Sequence, residues 1–421
     1  MELVIGLSIV LGLYAAFSIG ANDVANAMGT SVGSRALTIR RAILVAAVLE
    51  FAGAYLVGGH VTRTIRGGIL DFEVVAAHPD GRDIVIAGML AALTATGTWL
   101  IVASRLGWPV STTHSIVGSI AGFGLVALGR AAVEWGELGR IASSWLISPL
   151  LSGTIAIVVF TVTRRLILDR EDPVRQVQRW GPLYVFAVIA VIGMVTLFKG
   201  LKNLKLDFSL GEAVLITGAL GAVGAGVAAL LLQRLRPDPS ADREFHFATV
   251  ERMFGTLQVM SACAVAFAHG SNDVANAIGP MAAVIGMAGG AAFEAEAPVP
   301  GWILLVGGAG IVVGLSTLGY RVMATIGEKI TELTPTRGYA AEFAAAVTIV
   351  AASRLGLPVS TTHCLVGAVL GVGLARGIGA LDFRVIGTIV LAWVVTIPVG
   401  ATLAIFFYYF YKGLLDSLGA M

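Results

Sequence analysis

Charged residues are scarce in this chain. They make up 13% of its 421 residues, whereas a soluble globular domain carries about 25%. Hydrophobic residues reach 57%, and the mean hydropathy is +0.88. The net charge is only +2, which gives no basis for a nucleic-acid partner. The composition therefore excludes a soluble protein and indicates an integral membrane protein embedded in a lipid bilayer.

Cysteine is almost absent. The two cysteines, Cys263 and Cys364, both lie in apolar runs. They are too few for a disulfide framework or a cysteine metal site. A cleavable signal peptide is also not evident, because no basic region precedes the apolar residues 3–19 and no small-residue cleavage site follows them. We therefore expect that first segment to be a membrane span.

Long apolar runs recur along the whole chain. A spanning helix needs about 20 largely apolar residues, and we expect an all-α integral membrane protein with about 12 transmembrane segments. The segments that open at Pro109 and Pro358 begin with polar residues, which predicts broken or re-entrant helices there. The stretches after the predicted first and eighth spans could also enter the membrane without crossing it. The predicted spans are 3–20, 40–58, 83–104, 108–129, 139–166, 182–199, 209–233, 250–269, 301–326, 338–353, 358–375 and 383–411.

Two polar patches each occur twice. Residues 20–29 read GANDVANAMG, and residues 270–279 read GSNDVANAIG. The second patch, PVSTTH, occupies 109–114 and returns at 358–363. The same patches in the same order, at nearly the same spacing, indicate an internally duplicated architecture. Their polar residues are therefore the first candidates for a functional site.

The predicted spans also relate the two copies in space. The first copy begins at span one and the second at span eight, so an odd number of crossings separates them. This predicts an inverted-topology internal repeat, an arrangement common in secondary transporters. We divide the chain into a first repeat over 1–166, a connecting region with two spans and cytoplasmic linkers over 167–249, and a second repeat over 250–421.

Basic residues are unevenly distributed between the two sides of this topology. The predicted loops on one side carry most of the 28 lysines and arginines. The positive-inside rule assigns that side to the cytoplasm. Both termini are then expected outside the cytoplasm, in a multi-pass protein of the cell (plasma or inner) membrane.

The duplicated aspartates are the sharpest candidates. Asp23 and Asp273 follow apolar runs, and a carboxylate at membrane depth is costly unless it has a function and a partner. The alternative is a solvated or capping carboxylate at the membrane edge. Carboxylate and amide oxygens together suit a hard cation such as sodium. The predicted sodium ligands, centred on the two aspartates, are Asp23, Asn22, Asn26, Asp273, Asn272 and Asn276.

The PVSTTH patches predict different chemistry. Proline followed by hydroxyl residues marks a helix start, and a helix start presents backbone N–H groups to an anion. Two such starts from opposed repeats could hold a tetrahedral oxyanion between them. The alternative is that the hydroxyls only cap helices or pack helix against helix. The predicted anion-binding residues are Ser111, Thr112, Thr113, Ser360, Thr361 and Thr362, with Asn26 and Asn276 from the other patches.

Neither patch contains lysine or arginine. Two aspartates and a tetrahedral oxyanion carry about −3 to −4 charges, of which each helix dipole offsets about half a charge. The remainder must be balanced by bound cations. An anion at this site therefore implies cation coupling, by sodium or, alternatively, by protons.

Four further side chains are candidates for transport or gating. His114 and His363 end the PVSTTH patches and could relay protons, although such histidines are often structural hydrogen-bonding groups. Glu50 and Glu342 lie within predicted spans, where a glutamate is a functional candidate. The two glutamates occupy no obviously matched positions in the two repeats.

At these residues the chain resembles the inorganic phosphate transporter family of sodium- or proton-coupled phosphate symporters. Both family signatures are intact in both copies, and the resemblance covers almost the whole chain. It implies about twelve spans, an inverted repeat, a homodimer and uptake of orthophosphate. It also implies ion and phosphate binding by the Asp and Asn of each copy, Asp23, Asn26, Asp273 and Asn276, and a transport role for Glu50 and Glu342.

We therefore expect a sodium-coupled phosphate symporter that works by alternating access with an elevator-like core movement. It needs no cofactor other than the coupling sodium ions and is not an enzyme. Alternatives of the same architecture are a proton- or metal-phosphate-coupled carrier and a sulfate permease. A channel, or an intramembrane hydrolase using Ser111, His114 and an aspartate, are alternatives of other classes, and no nucleophile elbow surrounds Ser111.

Overall fold

The chain is helical throughout the part that the structure describes. The computed structural model describes residues 1–58, 68–197, 208–233, 243–290, 299–354 and 359–419. Within these ranges there is no β-strand, only an isolated bridge between Leu70 and Val133. The prediction of an all-α protein is confirmed.

Fifteen α-helices are described in these ranges, and π-helical turns at Arg164–Leu168 and Thr325–Lys329 extend two of them. Their bounds are α1 Glu2–Gly33, α2 Ile39–Val57, α3 Phe72–Ala77, α4 Gly81–Leu106, α5 Thr112–Ala127, α6 Trp135–Thr163, α7 Pro173–Val195, α8 Leu210–Leu232, α9 Arg243–Asp273, α10 Ala275–Ala288, α11 Gly301–Thr317, α12 Tyr320–Ala324, α13 Pro335–Arg354, α14 Thr361–Arg376 and α15 Phe383–Ser417.

Seven of the described helical segments are long and apolar enough to cross a membrane, and a bent pair makes an eighth. Helices α5 and α14 have 16 residues each and are shorter than a full span. Helices α2 and α13 have the length but not the apolar composition. The structure thus confirms a multi-span helical membrane protein but not the predicted count of twelve.

The first polar patch lies inside a helix rather than after one. The predicted first span ends at residue 20, but α1 continues without a break to Gly33. The polar side chains do not end the helix because neighbouring helices bury and bind them, as described below. In the second copy, α9 ends at Asp273 and α10 resumes at Ala275, and residues 248–288 together make one long apolar segment.

The PVSTTH patches lie at real breaks, as predicted. Gly107 ends α4 with a φ of 69°, a left-handed conformation that favours glycine. The chain then continues outside any helix to Ser111, whose side chain caps α5. Ser360 caps α14 in the same way, while Pro358 lies outside the described residues.

One predicted span is broken where none was expected. The segment predicted over 301–326 is divided into α11 and α12 with its π-helical turn, bent by 59°. Gly319, at the bend, packs against the Val24 side chain of α1. The bend therefore lies beside the first polar patch.

The helices of the two repeats pack crosswise. Helix α1 packs against α11, and its counterpart α9 packs against α2. Likewise α5 packs against α15, and its counterpart α14 packs against α6. This reciprocity is what a two-fold relation between repeats would produce. The inverted sense of that relation and the division at 166 and 249 stay predictions.

Candidate functional site

Both duplicated aspartates are buried in the centre of the bundle. Asp23 and Asp273 are 0% and 1% exposed. Each carries a hydrogen bond from an asparagine of its own patch. Asn26 donates to Asp23 Oδ1 at 3.0 Å, and Asn272 donates to Asp273 Oδ1 at 2.7 Å. These carboxylates are therefore not solvated groups at a membrane edge.

The two kinds of patch meet across the repeats. Asn26 Nδ2 donates to Thr362 Oγ1 at 2.7 Å, and Asn276 Nδ2 donates to Thr112 Oγ1 at 3.1 Å. Within the second repeat, Thr361 Oγ1 donates to Asp273 Oδ2 at 3.0 Å. The aspartate patches and the starts of α5 and α14 thus form one continuous polar site.

Three predicted site residues, Ser111, Ser360 and Asn22, form hydrogen bonds with backbone groups. Ser111 Oγ accepts from the backbone N–H of His114 at 3.3 Å, and Ser360 Oγ accepts from that of His363 at the same distance. Asn22 Nδ2 donates to the Trp108 carbonyl at 3.0 Å and its Oδ1 accepts from Val110 N–H at 3.2 Å. These contacts hold the loop before α5 against α1.

Thr113 is buried on the first turn of α5, 4% exposed. It lies one residue after Thr112, which binds Asn276 across the repeats. The first turn of α5 therefore brings two threonines to the buried end of this helix.

His269 links the two aspartates, and the sequence analysis did not place it in the site. Its Nε2 lies 2.8 Å from Asp273 Oδ2 and 3.8 Å from Asp23 Oδ2. Its Nδ1 lies 3.3 Å from Glu50 Oε1. Since both ring nitrogens face carboxylates, the geometry suits a ring that carries hydrogen on both nitrogens. Its position one helical turn before Asp273, in an apolar run, was the signal that could have revealed it.

His269 and Glu50 have apolar counterparts in the other repeat. Gly270 packs against the backbone of Glu50, and the matching Gly20 packs against the backbone of Ile311. Glu50 thus corresponds to Ile311, and His269, next to Gly270, corresponds to Ile19. The contact between α9 and α2 therefore contains the His269–Glu50 ion pair, whereas the matching contact between α1 and α11 contains two isoleucines.

Four buried oxygen atoms around His269 and Asp23 lack a hydrogen-bond donor within the described residues. They are Asp23 Oδ2, Asn26 Oδ1 and both carboxylate oxygens of Glu50. A buried acceptor without a partner costs about 1–3 kcal/mol, which a bound cation would offset. Asp23, Asp273 and His269 each offer a ligand atom, all within 4.8 Å of one another. Sodium prefers the oxygens, whereas the imidazole would serve a transition metal or act as a counter-charge.

Glu342 lies in a separate polar cluster. Its Oε1 accepts from Thr30 Oγ1, from Ser31 Oγ at 2.7 Å and from Gln258 Nε2 at 3.3 Å. Its Oε2 accepts from Ser261 Oγ at 2.9 Å. The carboxylate is 0% exposed. Neutral donors from α1 and α9 thus surround the buried Glu342 carboxylate. The donors from α1 lie about two helical turns after Asp23.

Beyond this cluster an open cavity of about 880 Å³ reaches the end of α1. Ser34 lines it and donates to Gln258 Oε1 at 2.7 Å. Polar residues therefore follow one face of α1, from Asp23 through Asn26 and Thr30 to Ser34, and end at this cavity.

His114 and His363 lie on the first turns of α5 and α14. Their rings contact each other and two tryptophans rather than the aspartates. Their ring centroids are 4.5 Å apart, in an edge-to-face arrangement. Each ring also stacks on a tryptophan, His114 on Trp145 and His363 on Trp393. The structure therefore brings the two candidate histidines together, but not with Glu50 or Glu342.

The arrangement combines two kinds of binding surface at one buried place. Carboxylate and amide oxygens offer ligands for cations, and two capped helix starts offer N–H groups for an anion. The surrounding helices span a membrane. The class of protein that this fold and site define is a membrane transporter.

Comparison with known proteins identifies the family. The model of the phosphate transporter family matches residues 19–404, and the chain belongs to this family. A putative phosphate permease of Haemophilus influenzae is 46% identical over 405 residues, covering 96% of this chain and 95% of the relative. Inorganic phosphate transporter 2-1, chloroplastic, of Arabidopsis thaliana is 47% identical over 429 residues, covering 97% and 72%.

A solved structure gives the same result for the fold. The chain matches a structure described as the sodium-dependent phosphate transporter with a TM-score of 0.86 and 41% identity, over 98% of this chain and 99% of that one. The predicted family resemblance is therefore confirmed, and so are the multi-pass membrane location and phosphate as the transported substrate. A family of transporters also confirms the prediction that the protein is not an enzyme.

Proposed function

We propose that the protein is a sodium-coupled symporter that takes up inorganic phosphate across the cell membrane. The observation that carries the proposal is the junction of two buried aspartates with the starts of α5 and α14, through Asn26–Thr362 and Asn276–Thr112. The likeness to a transporter described as sodium-dependent supports the choice of ion.

Phosphate would lie between the starts of α5 and α14. The backbone N–H groups of these first turns and the positive ends of both helix dipoles would face its oxygens. The hydroxyls of Thr112, Thr113, Thr361 and Thr362 and the amides of Asn26 and Asn276 would add hydrogen bonds. Ser111 and Ser360 would act mainly through their caps, which fix the direction of the N–H groups.

Sodium would lie at Asp23 and Asp273. Three carboxylates, Asp23, Asp273 and Glu50, lie around His269, so one imidazolium leaves two negative charges before phosphate arrives. Phosphate adds at least one more negative charge, which in a low-dielectric interior is strongly unfavourable without added cations. The unpartnered Asp23 Oδ2 and Asn26 Oδ1 would become ligands. Binding of each ion then requires the other, which is the basis of coupling.

Transport would proceed by alternating access, with the site moving relative to the surrounding helices in an elevator-like slide. Both termini would face away from the cytoplasm, and two copies would form a homodimer. Glu50 and Glu342 would take part in the transport cycle as buried charges. A bound phosphate found at the same membrane depth in inward- and outward-facing states would rule out the slide.

Uptake into proteoliposomes tests the coupling ion. We expect radiolabelled phosphate to accumulate when a sodium gradient is imposed, and not when potassium replaces sodium. Accumulation driven by a proton gradient alone, or only with divalent metal, would instead support the proton- or metal-phosphate-coupled carrier. Preferred uptake of labelled sulfate would support a sulfate permease, and phosphate current without accumulation would support a channel.

A further inference from the structure

Three helices run from the open cavity towards the buried aspartates. Each has one residue at the cavity and another residue one or two helical turns deeper. The residues at the cavity are Ser34 at the end of α1, Glu251 of α9 and Pro335 of α13, and the deeper residues of the same helices are Thr30, Gln258 and Glu342. Beyond them on α1 lie Asn26 and Asp23. The space between these helices is the direct line from the cavity to the site, and we call it the inner passage.

The side chain of Gln258 closes the inner passage, and all three helices hold its amide. Ser34 Oγ donates to Oε1 at 2.7 Å, and Nε2 donates to Glu342 Oε1 at 3.3 Å. On α13, Gly338 leaves the space that the amide fills, because a Cβ there would overlap Nε2. Ser34, on the cavity side of the amide, is 6% exposed, whereas Thr30 beyond it is 0% exposed. The amide therefore separates the cavity from the buried part of the passage.

The groups behind the amide suit a cation. They are the hydroxyls of Thr30, Ser31 and Ser261 and the carboxylate of Glu342, which accepts from all three. Within the described residues this carboxylate has only neutral donors around it. Oxygen ligands of this kind bind a hard cation such as sodium, whereas phosphate would meet a carboxylate of its own sign. A cation that leaves Asp23 therefore has a route along α1 as far as the amide.

We propose that Gln258 is the gate of the inner passage: its amide blocks the movement of sodium between the aspartates and the cavity. This rests on the proposed function, in which sodium binds at Asp23 and Asp273. The gate opens when the amide leaves Ser34 and Glu342 and the side chain takes another rotamer. Sodium release then requires this side-chain rotation in addition to the slower movement of the helices.

The test measures how fast a cysteine behind the gate reacts. In a background without Cys263 and Cys364, Thr30→Cys places a thiol behind the amide, and Thr334→Cys places one at the cavity. The probe is a small cationic methanethiosulfonate reagent, applied to the purified protein. We expect Gln258→Ala to speed the reaction of Thr30→Cys at least about tenfold, because a hydrogen bond to a charged group shifts an equilibrium about tenfold or more. The reaction of Thr334→Cys should keep its rate.

Gly338→Ala tests the same gate without changing Gln258 itself. The added Cβ would overlap Nε2 and displace the amide, so Thr30→Cys should again react faster. Gly255→Ala, on α9 one turn before Gln258, is the matched control. Its Cβ would make only ordinary contacts, the nearest at 3.9 Å, so the reaction rate of Thr30→Cys should not change.

The outcomes separate the gate from the proposed function. Melting temperatures show which purified variants are folded, and where Gln258→Ala or Gly338→Ala does not fold, the other variant decides. An unchanged reaction rate of Thr30→Cys in the folded variants would overturn the gate. Equal acceleration of Thr334→Cys, or of Thr30→Cys by Gly255→Ala, would also overturn it, because the protein would then be loosened generally. A wild-type protein without sodium-driven phosphate uptake would overturn the proposed function instead, while the reaction rates would still show whether Gln258 closes the passage.

Discussion

At the scale of single residues, the site is a small network of buried charges rather than a pair of aspartates. His269 lies between Asp23, Asp273 and Glu50, and all four are buried. The aspartates could be predicted because they occur in both repeats. Glu50 was a candidate because it lies within a predicted span, but its place beside the aspartates was not predicted, and His269 was not predicted at all. Their counterparts are Ile19 and Ile311, so duplication gives no signal for either residue. Only the folded chain shows that these two unmatched residues face each other.

His269 should stabilise this network as its counter-charge. His269→Gln leaves three buried carboxylates without a cationic partner from the described residues, and breaking a buried ion pair costs about 3–5 kcal/mol. We therefore expect His269→Gln to have a lower melting temperature than wild type without sodium. Adding sodium should raise the melting temperature of the variant by more than it raises that of wild type. His78→Gln, in the loop after α3, is the control. Equal melting temperatures for His269→Gln and wild type would contradict this role.

Glu342 should matter for transport more than for stability. Glu342→Gln removes a buried charge that only neutral donors surround in the described structure, so folding should be unchanged or improved. Phosphate uptake should fall at least about tenfold, because an intramembrane carboxylate is retained for function. Glu332→Gln, an exposed partner of Arg376, is the matched control for uptake. A Glu342→Gln variant with normal uptake would exclude Glu342 from the transport cycle.

At the scale of helices, composition predicted which segments are helical but not where they end. Each of the twelve predicted segments overlaps a described helix, although residues 198–199 and 358 of these segments lie outside the described residues. The first patch was expected beyond the end of a span, yet α1 continues through it. The polar side chains of the first patch do not end α1 because they are buried against other helices, which a hydropathy pattern does not report. The breaks before α5 and α14 were predictable because proline and serine mark them locally.

Close approach of α1 and α11 depends on Gly20. A Cβ there would collide with the backbone of Ile311, and overpacking costs typically about 1–3 kcal/mol. Gly20→Ala should therefore lower the melting temperature. Gly6→Ala on the same helix meets no neighbouring atom and should be neutral or stabilising, since alanine favours helix by about 1 kcal/mol. Similar shifts in the two variants would show that the helices do not pack this closely.

At the scale of the whole molecule, the duplication predicted the architecture better than the span count did. Crosswise packing of α1 with α11 and of α9 with α2 matches a two-fold related pair of repeats. Within the described residues the predicted count of twelve spans is not confirmed, since α5 and α14 are shorter than a full span and α2 and α13 are too polar. Most residues of α5 and α14 are buried against other helices of the protein, so these helices do not need the length of a lipid-exposed span.

The predicted orientation can be tested with single cysteines in a background without Cys263 and Cys364. Gly136, before the predicted fifth span, should lie outside the cytoplasm, and Asp169, after it, should lie inside. In intact cells a membrane-impermeant maleimide should therefore label Gly136→Cys but not Asp169→Cys. Opening the cells should make Asp169→Cys reactive. The reverse pattern would invert the topology.

The central claim is that the duplicated aspartates couple sodium to phosphate. The most direct measurement is radiolabelled phosphate uptake into proteoliposomes, with and without a sodium gradient, for wild type, Asp23→Asn and Asp273→Asn. We expect sodium to drive uptake in wild type and each substitution to reduce sodium-driven uptake at least about tenfold, because a neutral amide cannot replace a buried carboxylate as a cation ligand. Undiminished sodium-driven uptake in both variants would contradict the account.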